Sequence, residues 1–502
     1  MAWNRRYSLI SHVRSSLWIV PILAVMAAIA LNRAIDRIGR WMSERSGLDL
    51  QHGLLAVSIE EAHAILDRIF TLNLSCLVFT FGSLLVAIQV AGGQYTPRII
   101  ATTLLRDNVI RWIVGLFVFS LLWTHRTMAE LGQPWAVPQL QVSIATVIGL
   151  GSLVAFIVLI DYSARLLRPV SLVGRVAEQG FAVIEVIYPH PASEESARRR
   201  FTTELAWTSR SRAFGTNGRA EPGAPGAPDR IVYHPGGSGV VLAVNLAGLS
   251  REAQRAGCII EFAAQVGDFL ATDEPLFYLT GSSDTISDRR LQNLVALGSE
   301  RTMEQDPMFS FRIEVDIALK ALSPAINDPT TAVLAIDQLH RLLRLVGQRS
   351  LANSTLSDAS GRPRVIFRTP DWEDFVHVTF REIRHCGAGS LQIERRLRAM
   401  IVNLTNTLPE FRHPALLREL ELLDASIVRH HHFAADIELA RVADPQGLGG
   451  ALDVNAQNGG AGETKSSTAT RGKRASWQGH WRTHPSTLRS SRKHRKSRPS
   501  WR

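Results

Sequence analysis

Apolar residues are concentrated in four stretches near the start of the chain. Between Arg14 and Arg33, Arg68 and Arg98, and Glu130 and Asp161 there is no acidic or basic residue other than histidine. Gaps of that length suit helices that cross about 30 Å of hydrocarbon at 1.5 Å per residue. The runs Ser16–Leu31, Leu72–Val90 and Val142–Ile160 fill them. A fourth run, Val109–Trp123, is the weakest, because it lies between Arg111 and Arg126 and spans only if Arg111 snorkels to the headgroups. The pattern predicts transmembrane helices at about 16–36, 72–93, 108–127 and 142–167 within a membrane domain of residues 1–170. Trp18, Trp112, Trp123 and Trp135 lie at or near segment ends, where amphipathic rings favour the bilayer interface. The first run has no small-residue cleavage site followed by a polar mature domain, so it reads as an uncleaved anchor.

The hydrophobic period changes after residue 170. Strands are expected at VVLAVNL from Gly239, at CIIEFAA and at PLFYLT, with a short helix SREAQRAG and a turn at Val266-Gly267-Asp268 between them. This defines a small β-rich unit over 171–285, interrupted at 215–228 by GTNGRAEPGAPGAP, a flexible insertion too rich in glycine and proline to hold regular structure. Apolar residues then recur at helical spacing near 288–303, 308–322, 329–348, 371–386, 389–407 and 414–438, giving a helical domain over 286–442. From 443 to 502 there is no apolar periodicity, and a disordered basic tail is expected. The fold class is therefore a membrane protein with an N-terminal four-helix transmembrane region, a cytoplasmic α+β domain and a basic C-terminal tail.

Charge places the domain. The chain holds 56 Lys+Arg against 45 Asp+Glu, a formal net charge of +11. Twelve of those basic residues lie between Lys465 and Arg502, where there is no acid, so the remainder is close to neutral. The tail has the charge to contact anionic lipid or nucleic acid. Around the helices, nine arginines (Arg5, Arg6, Arg14, Arg98, Arg106, Arg111, Arg165, Arg168 and Arg175) flank one side. Six (Arg33, Arg37, Arg40, Arg45, Arg68 and Arg126) flank the other. That bias favours both termini in the cytoplasm and a multi-pass protein of the bacterial inner membrane. Cys76, Cys258 and Cys386 are far apart, with no disulfide or zinc spacing.

The most distinctive polar stretch is DIALKALSPAINDPTTA, Asp316–Ala332. One helix should stop at Ser323-Pro324 and the next start at Asp328-Pro329, with Asp328 as N-cap and Pro329 in the first turn. Capping alone accounts for these residues. The functional alternative is a ligand-binding corner formed by Asp316, Lys320, Asn327, Asp328, Thr330 and Thr331 at a helix N-terminus. In the membrane, Ser83, Gln89 and Ser152 serve either helix packing or a polar path. His430-His431-His432, expected on a helix, point about 100° apart and read as a solvated face. No catalytic motif, metal site or cofactor is expected. The β-rich unit resembles half of a biotinyl- or lipoyl-type barrel, yet residues 171–319 contain no lysine to carry such a group.

Taken together, QYTPRIIATTLLRDNVIRWIVGLFVF, VGDFLATDEPL, QDPMFSFRIEVDIALKALSPAINDPTTAVLAIDQL and DWEDFVHVTFREIRHCG resemble a bacterial family of predicted membrane proteins, the domain of unknown function 2254, over about residues 10–440. Ala325 stands where that resemblance leads one to expect glycine. The resemblance implies a membrane topology and no established activity. The expected role is thus a noncatalytic membrane-anchored binding or regulatory domain, with an oligomeric channel or transporter as the alternative. The expected partners are the lipid bilayer, a further copy of the chain and an unidentified protein or small-molecule ligand.

Overall fold

The computed structural model describes residues 2–16, 18–46, 58–94, 107–131, 139–166, 168–195, 228–282, 285–351 and 354–449. Trp135, the insertion at 215–228 apart from its last residue, and the tail beyond 449 lie outside them.

A short helix, α1 (Trp3–Ser15), precedes the bundle helices α2 (Ile19–Ser46), α3 (Ile59–Gln94), α4 (Asn108–Glu130) and α5 (Gln139–Leu166). Three of these, α3, α4 and α5, are long and apolar enough to cross a membrane, while the apolar part of α2, Ile19–Ile35, is shorter. The segment closest to the limit is therefore the first, not the third. Helix α4 reads as weakly apolar because it is central: α2, α3 and α5 all pack against it, so less of its surface has to satisfy lipid. For the same reason Arg111 does not snorkel and is only 7% exposed. Trp123 is fully buried, its Nε1 donating to Gln141 O at 3.2 Å, whereas Trp18 and Trp112 are exposed as an interfacial role requires. Helix α3 begins well before its apolar run because Ser58 and Glu61 form a reciprocal cap, Ser58 N donating to Glu61 Oε2 at 2.9 Å and Glu61 N to Ser58 Oγ at 3.3 Å.

Three positions after the end of α5, α6 (Pro169–Ile187) begins, with proline in its first turn. The β-rich unit follows: β1 (Arg230–Tyr233), β2 (Gly239–Val244), α7 (Leu246–Ala256), β3 (Ile259–Phe262), β4 (Phe269–Leu270), β5 (Pro275–Thr280), α8 (Asp288–Gln292) and β6 (Val295–Gly298). Residues 295–298 are a strand where helical spacing led one to expect helix. Paired antiparallel to β2, with Val241 opposite Leu297 and Val244 opposite Val295, this segment gains a ladder and a buried core face that a short helix would not have.

The remaining elements are α9 (Pro307–Ala321), α10 (Pro329–Gly347), β7 (Thr355–Ser357), β8 (Pro363–Ile366), α11 (Trp372–Cys386), α12 (Leu391–Thr407), α13 (His413–His430) and α14 (Ala434–Ala440). One sheet runs β1-β5-β3-β8-β7 and a second runs β4-β2-β6. The parallel pairing of β8 with β3 ties the helical region back to the β-unit.

The single helix expected over 414–438 is broken at His431. That side chain is 8% exposed and its Nε2 meets Glu394 Oε2 at 2.7 Å, so the three histidines are not a uniformly solvated face. Order also extends past 442. Asp444 accepts from the backbone N–H groups of Gln446, Gly447 and Gly449 at 2.8–3.0 Å, and Arg395 donates to Val442 O and Gly449 O, so residues 443–449 form a hook against α12.

Helix α6 is the spine of this arrangement. Leu172, Val173, Val176, Ala177, Gly180 and Ile184 are buried, in one core that runs from Phe117 and Leu159 of the bundle to Phe311, Leu339 and Phe375 of the helical domain. At Gly180 an added Cβ would stand 2.6 Å from Ser310 Oγ and 3.0 Å from Leu342 Cδ2. Gly180→Val is expected to destabilise the purified protein by about 1–3 kcal/mol through overpacking. Gly174→Ala, at a site with nothing within 4 Å, should be neutral or slightly stabilising, and thermal unfolding in detergent measures both.

Candidate functional site

Helix α9 ends at Ala321 and α10 begins at Pro329, as the turn chemistry requires. Asp328 caps α10, accepting from Thr331 N at 3.0 Å and from the Thr331 hydroxyl. Its own N–H donates to Ala321 O at 2.8 Å, and Asn327 N donates to Ser323 O at 2.8 Å. Asn327 has φ +48°, the left-handed region that asparagine tolerates better than most residues. Of the six residues expected at this corner, only Asp328 and Thr331 bond to each other. Asp316 is turned onto Arg312, which also makes a two-pronged bond to Glu382. Lys320, Asn327 and Thr330 are exposed.

The corner lies at the bundle end of the region that follows α5. Arg341 of α10 meets Glu178 of α6 at 3.1 Å and Arg349 meets Glu185 at 3.7 Å, so α10 runs parallel to α6. Helix α9 runs antiparallel, since Ser310 faces Gly180 while Asp306 and Pro307 share a cavity wall with Val186–Tyr188. The α9–α10 turn is therefore level with the start of α6.

The three membrane residues do not share a face. Ser152 is buried and donates to Ile148 O at 2.9 Å, Ser83 donates to Thr80 O at 3.0 Å, and Gln89 is exposed. The polar structure of the bundle centres instead on Asp107, at the point where α4 meets α5 and α6. Its carboxylate caps α4 through Val109 N at 2.9 Å and Ile110 N at 3.3 Å. It also accepts from Arg175 Nη1 at 2.6 Å and from the Tyr162 hydroxyl, while Arg175 Nη2 donates to Tyr162 Oη at 2.7 Å. Sequence reading missed this clasp by counting Arg175 only as a flanking charge. The signal was Asp107 directly before an apolar run, an N-cap position.

Two further features of the region that follows α5 come from tertiary structure. A cavity of about 360 Å³ lies at the seam between the helical core and the β-unit. Its inner wall includes Val244, Phe262 and Asp306, all at most 5% exposed. Asp306 caps α9 through Phe309 N and pairs with Arg301, and burial still holds its carboxyl above the usual range. Separately, Glu314 on α9 is fully buried and both its oxygens lack a hydrogen-bond partner. Burial alone pushes its pKa well above the ordinary 4.5, so the folded state keeps it as a neutral acid. Among the described residues no group of three His, Cys, Asp or Glu is placed to hold a metal ion.

Comparison with known proteins agrees with the membrane character. The profile of a family described as predicted membrane protein (DUF2254) matches residues 14–403. An uncharacterized protein of Mycobacterium bovis and another of Mycobacterium tuberculosis are each 21% identical over 395 residues, covering 77% of this chain and 71% of the relative. No solved structure matches the chain.

Two substitutions probe these sites. Asp328→Ala should cost about 1 kcal/mol of stability through the lost cap, while Asn327→Gly should be tolerated because glycine adopts the same φ freely; melting temperatures report both. For Glu314, the folded pKa lies above the unfolded one, so its contribution to stability is fully present below pH 4.5 and is lost as pH rises toward the folded pKa. Glu314→Met should raise the melting temperature at neutral pH and flatten its fall above about pH 4.5, measured by thermal scans across pH.

Proposed function

The chain belongs to this family of predicted membrane proteins, and on that premise we propose that it is a noncatalytic, membrane-anchored binding and regulatory protein of the inner membrane. Four helices cross the bilayer, both termini are cytoplasmic, and the α+β domain senses a ligand whose occupancy is passed to the bundle. The observation that carries this reading is the continuity of α6. The helix begins three positions after α5 ends, is clasped to α4 and α5 through Arg175, and ends beside the seam cavity. The α9–α10 corner, with Lys320, Asn327 and Thr330 exposed at the membrane end, is the second place where such a domain would respond to its surroundings.

Parity supports the fourth crossing. Asn4 N donates to Asn293 O at 3.1 Å and Ser11 Oγ to Glu304 Oε1 at 3.2 Å, so α1 lies on the same side of the membrane as the β-unit. An even number of crossings must separate them. With α3, α4 and α5 spanning, this parity supports α2 as a fourth crossing, through its shorter apolar part Ile19–Ile35. The arginine bias argues that this shared side is the cytoplasm.

The placement of the intramembrane polar groups favours an anchor over a channel. Ser152 and Ser83 spend their hydroxyls on their own helices, and Gln89 lies on the outer surface of α3.

Single cysteines at Ser58, Ala129, Ser238 and Ala359 of an otherwise cysteine-free chain test the topology in intact cells. The first two should react with an impermeant maleimide, and the last two only after permeabilisation. Labelling of Ser238→Cys or Ala359→Cys in intact cells would place the domain outside and end this reading.

A further inference from the structure

Helix α1 is built the wrong way round for a helix bathed in water. Its polar side rests on the β-unit, where Asn4 N donates to Asn293 O at 3.1 Å and Ser11 Oγ to Glu304 Oε1 at 3.2 Å. Leu9 and Val13 each stand two positions from Ser11, about 160° around the helix, and they are 53% and 42% exposed, with Ile10 exposed at their flank. A surface helix facing water would turn its apolar residues inward and its polar ones out. One turn before Leu9 and on the same outer side, Arg5 and Arg6 are exposed. No acidic residue precedes Asp36, so the first 35 residues carry only positive charge.

Chain continuity says what lies against that outer side. Helix α1 ends at Ser15 and α2 begins at Ile19, four residue steps that reach at most about 14 Å. The apolar part of α2 starts at the same Ile19, and the exposed apolar side chains continue into α2 through Trp18, Ile22, Leu23 and Met26. From this arrangement we infer that α1 is an interfacial helix that docks on an anionic lipid leaflet. Leu9, Ile10 and Val13 enter the boundary between headgroups and acyl chains, and Arg5 and Arg6 meet the lipid phosphates. A second copy of the chain is a poorer occupant, because a two-fold contact through this side would bring the same arginines together.

This docking deepens the function proposed above and rests on that reading, because α1 reaches the leaflet only where α2 crosses it. The helix then works as a strap between lipid and domain. Glu304, its partner, lies two residues before Asp306, which caps α9 through Phe309 N and stands in the wall of the seam cavity. Lipid charge that holds α1 in place thereby fixes the 304–306 segment, and with it one wall of the seam.

An environment-sensitive dye on a single cysteine reads the contact in the full-length, otherwise cysteine-free protein, held one chain to a nanodisc. Leu9→Cys and Val13→Cys carry the dye in turn, and Ala359→Cys, exposed in the β7–β8 turn, is the aqueous control. In nanodiscs of phosphatidylcholine mixed with phosphatidylglycerol, a nitroxide-labelled lipid should quench positions 9 and 13 by about half or more and leave position 359 unchanged. Acrylamide in the water should quench position 359 and spare the other two. In phosphatidylcholine alone, or with Arg5→Glu and Arg6→Glu combined, lipid quenching at position 9 should fall about twofold or more. The comparison of lipid compositions uses one and the same protein, so it keeps the test sound should the charge variant fail to fold. Lipid quenching no greater at positions 9 and 13 than at 359 overturns the proposal, as does equal quenching in the two compositions. A dye shielded from acrylamide yet untouched by the labelled lipid marks a protein neighbour and overturns it too. Nanodiscs leave both leaflets accessible, so quenching is read whichever side the domain occupies, while labelling of Ala359→Cys in cells reports topology. Absent quenching with the expected labelling removes the docked helix and leaves the anchored domain standing.

Discussion

The folded chain depends on a single carboxylate, that of Asp107, with its side chain 3% exposed where three helices converge. It ends α4 by accepting two of that helix's unpaired N–H groups, it fixes Tyr162 of α5, and it neutralises Arg175 of α6. Removing Asp107 would leave two α4 amides, the Tyr162 hydroxyl and Arg175 without their shared acceptor, although solvent screens the ion pair itself because Arg175 is 35% exposed. That shared acceptor makes the orientation of α6 relative to the bundle effectively a fixed quantity. Arg175 also lies 5.7 Å from the centre of the Tyr162 ring, which limits rotation of α6 about its own axis.

Everything beyond the membrane is then assembled on α6. The helix presents small and branched residues, Val173, Val176, Ala177 and Gly180, so that α9 and α10 can approach from two directions. Gly180 permits the closest approach, and the pairs Arg341–Glu178 and Arg349–Glu185 set the register of α10 along it. Glu314 is a cost within this core, since its acid lies among groups that give it no hydrogen bond. The β-unit has its own core around Phe262, Phe277 and Leu279. It joins the spine along a seam that is incompletely filled, and this is where the cavity lies.

Much of the architecture was legible because it depends on local chemistry. The Pro324–Pro329 turn, the strands at 259–262 and 275–280 and most helices beyond α6 follow from period, caps and proline placement. What escaped did so for tertiary reasons. Residues 295–298 become a strand only because β2 offers them a partner edge. Helix α13 ends at His430 because Glu394, 37 positions earlier than His431, draws that histidine inward. Arg111 and Trp123 look interfacial in a one-dimensional reading, yet both are enclosed by neighbouring helices. At the candidate corner, the cap at Asp328 was legible, whereas the sharing of Arg312 between Asp316 and Glu382 required knowledge of α11. The cavity had no signal in any one segment, because its walls come from three.

The contact between α1 and the β-unit bears on how the protein is made. Ser11 meets Glu304 across 293 residues of chain, so α1 waits for its partner until the bundle segments and most of the β-unit have been synthesised. Membrane insertion has to be finished, with the N-terminus retained on the domain's side, before this junction can close. A chain that inserted with one crossing too few would be left with α1 and the β-unit separated by the bilayer, so closure of this junction reports the number of crossings and not their polarity.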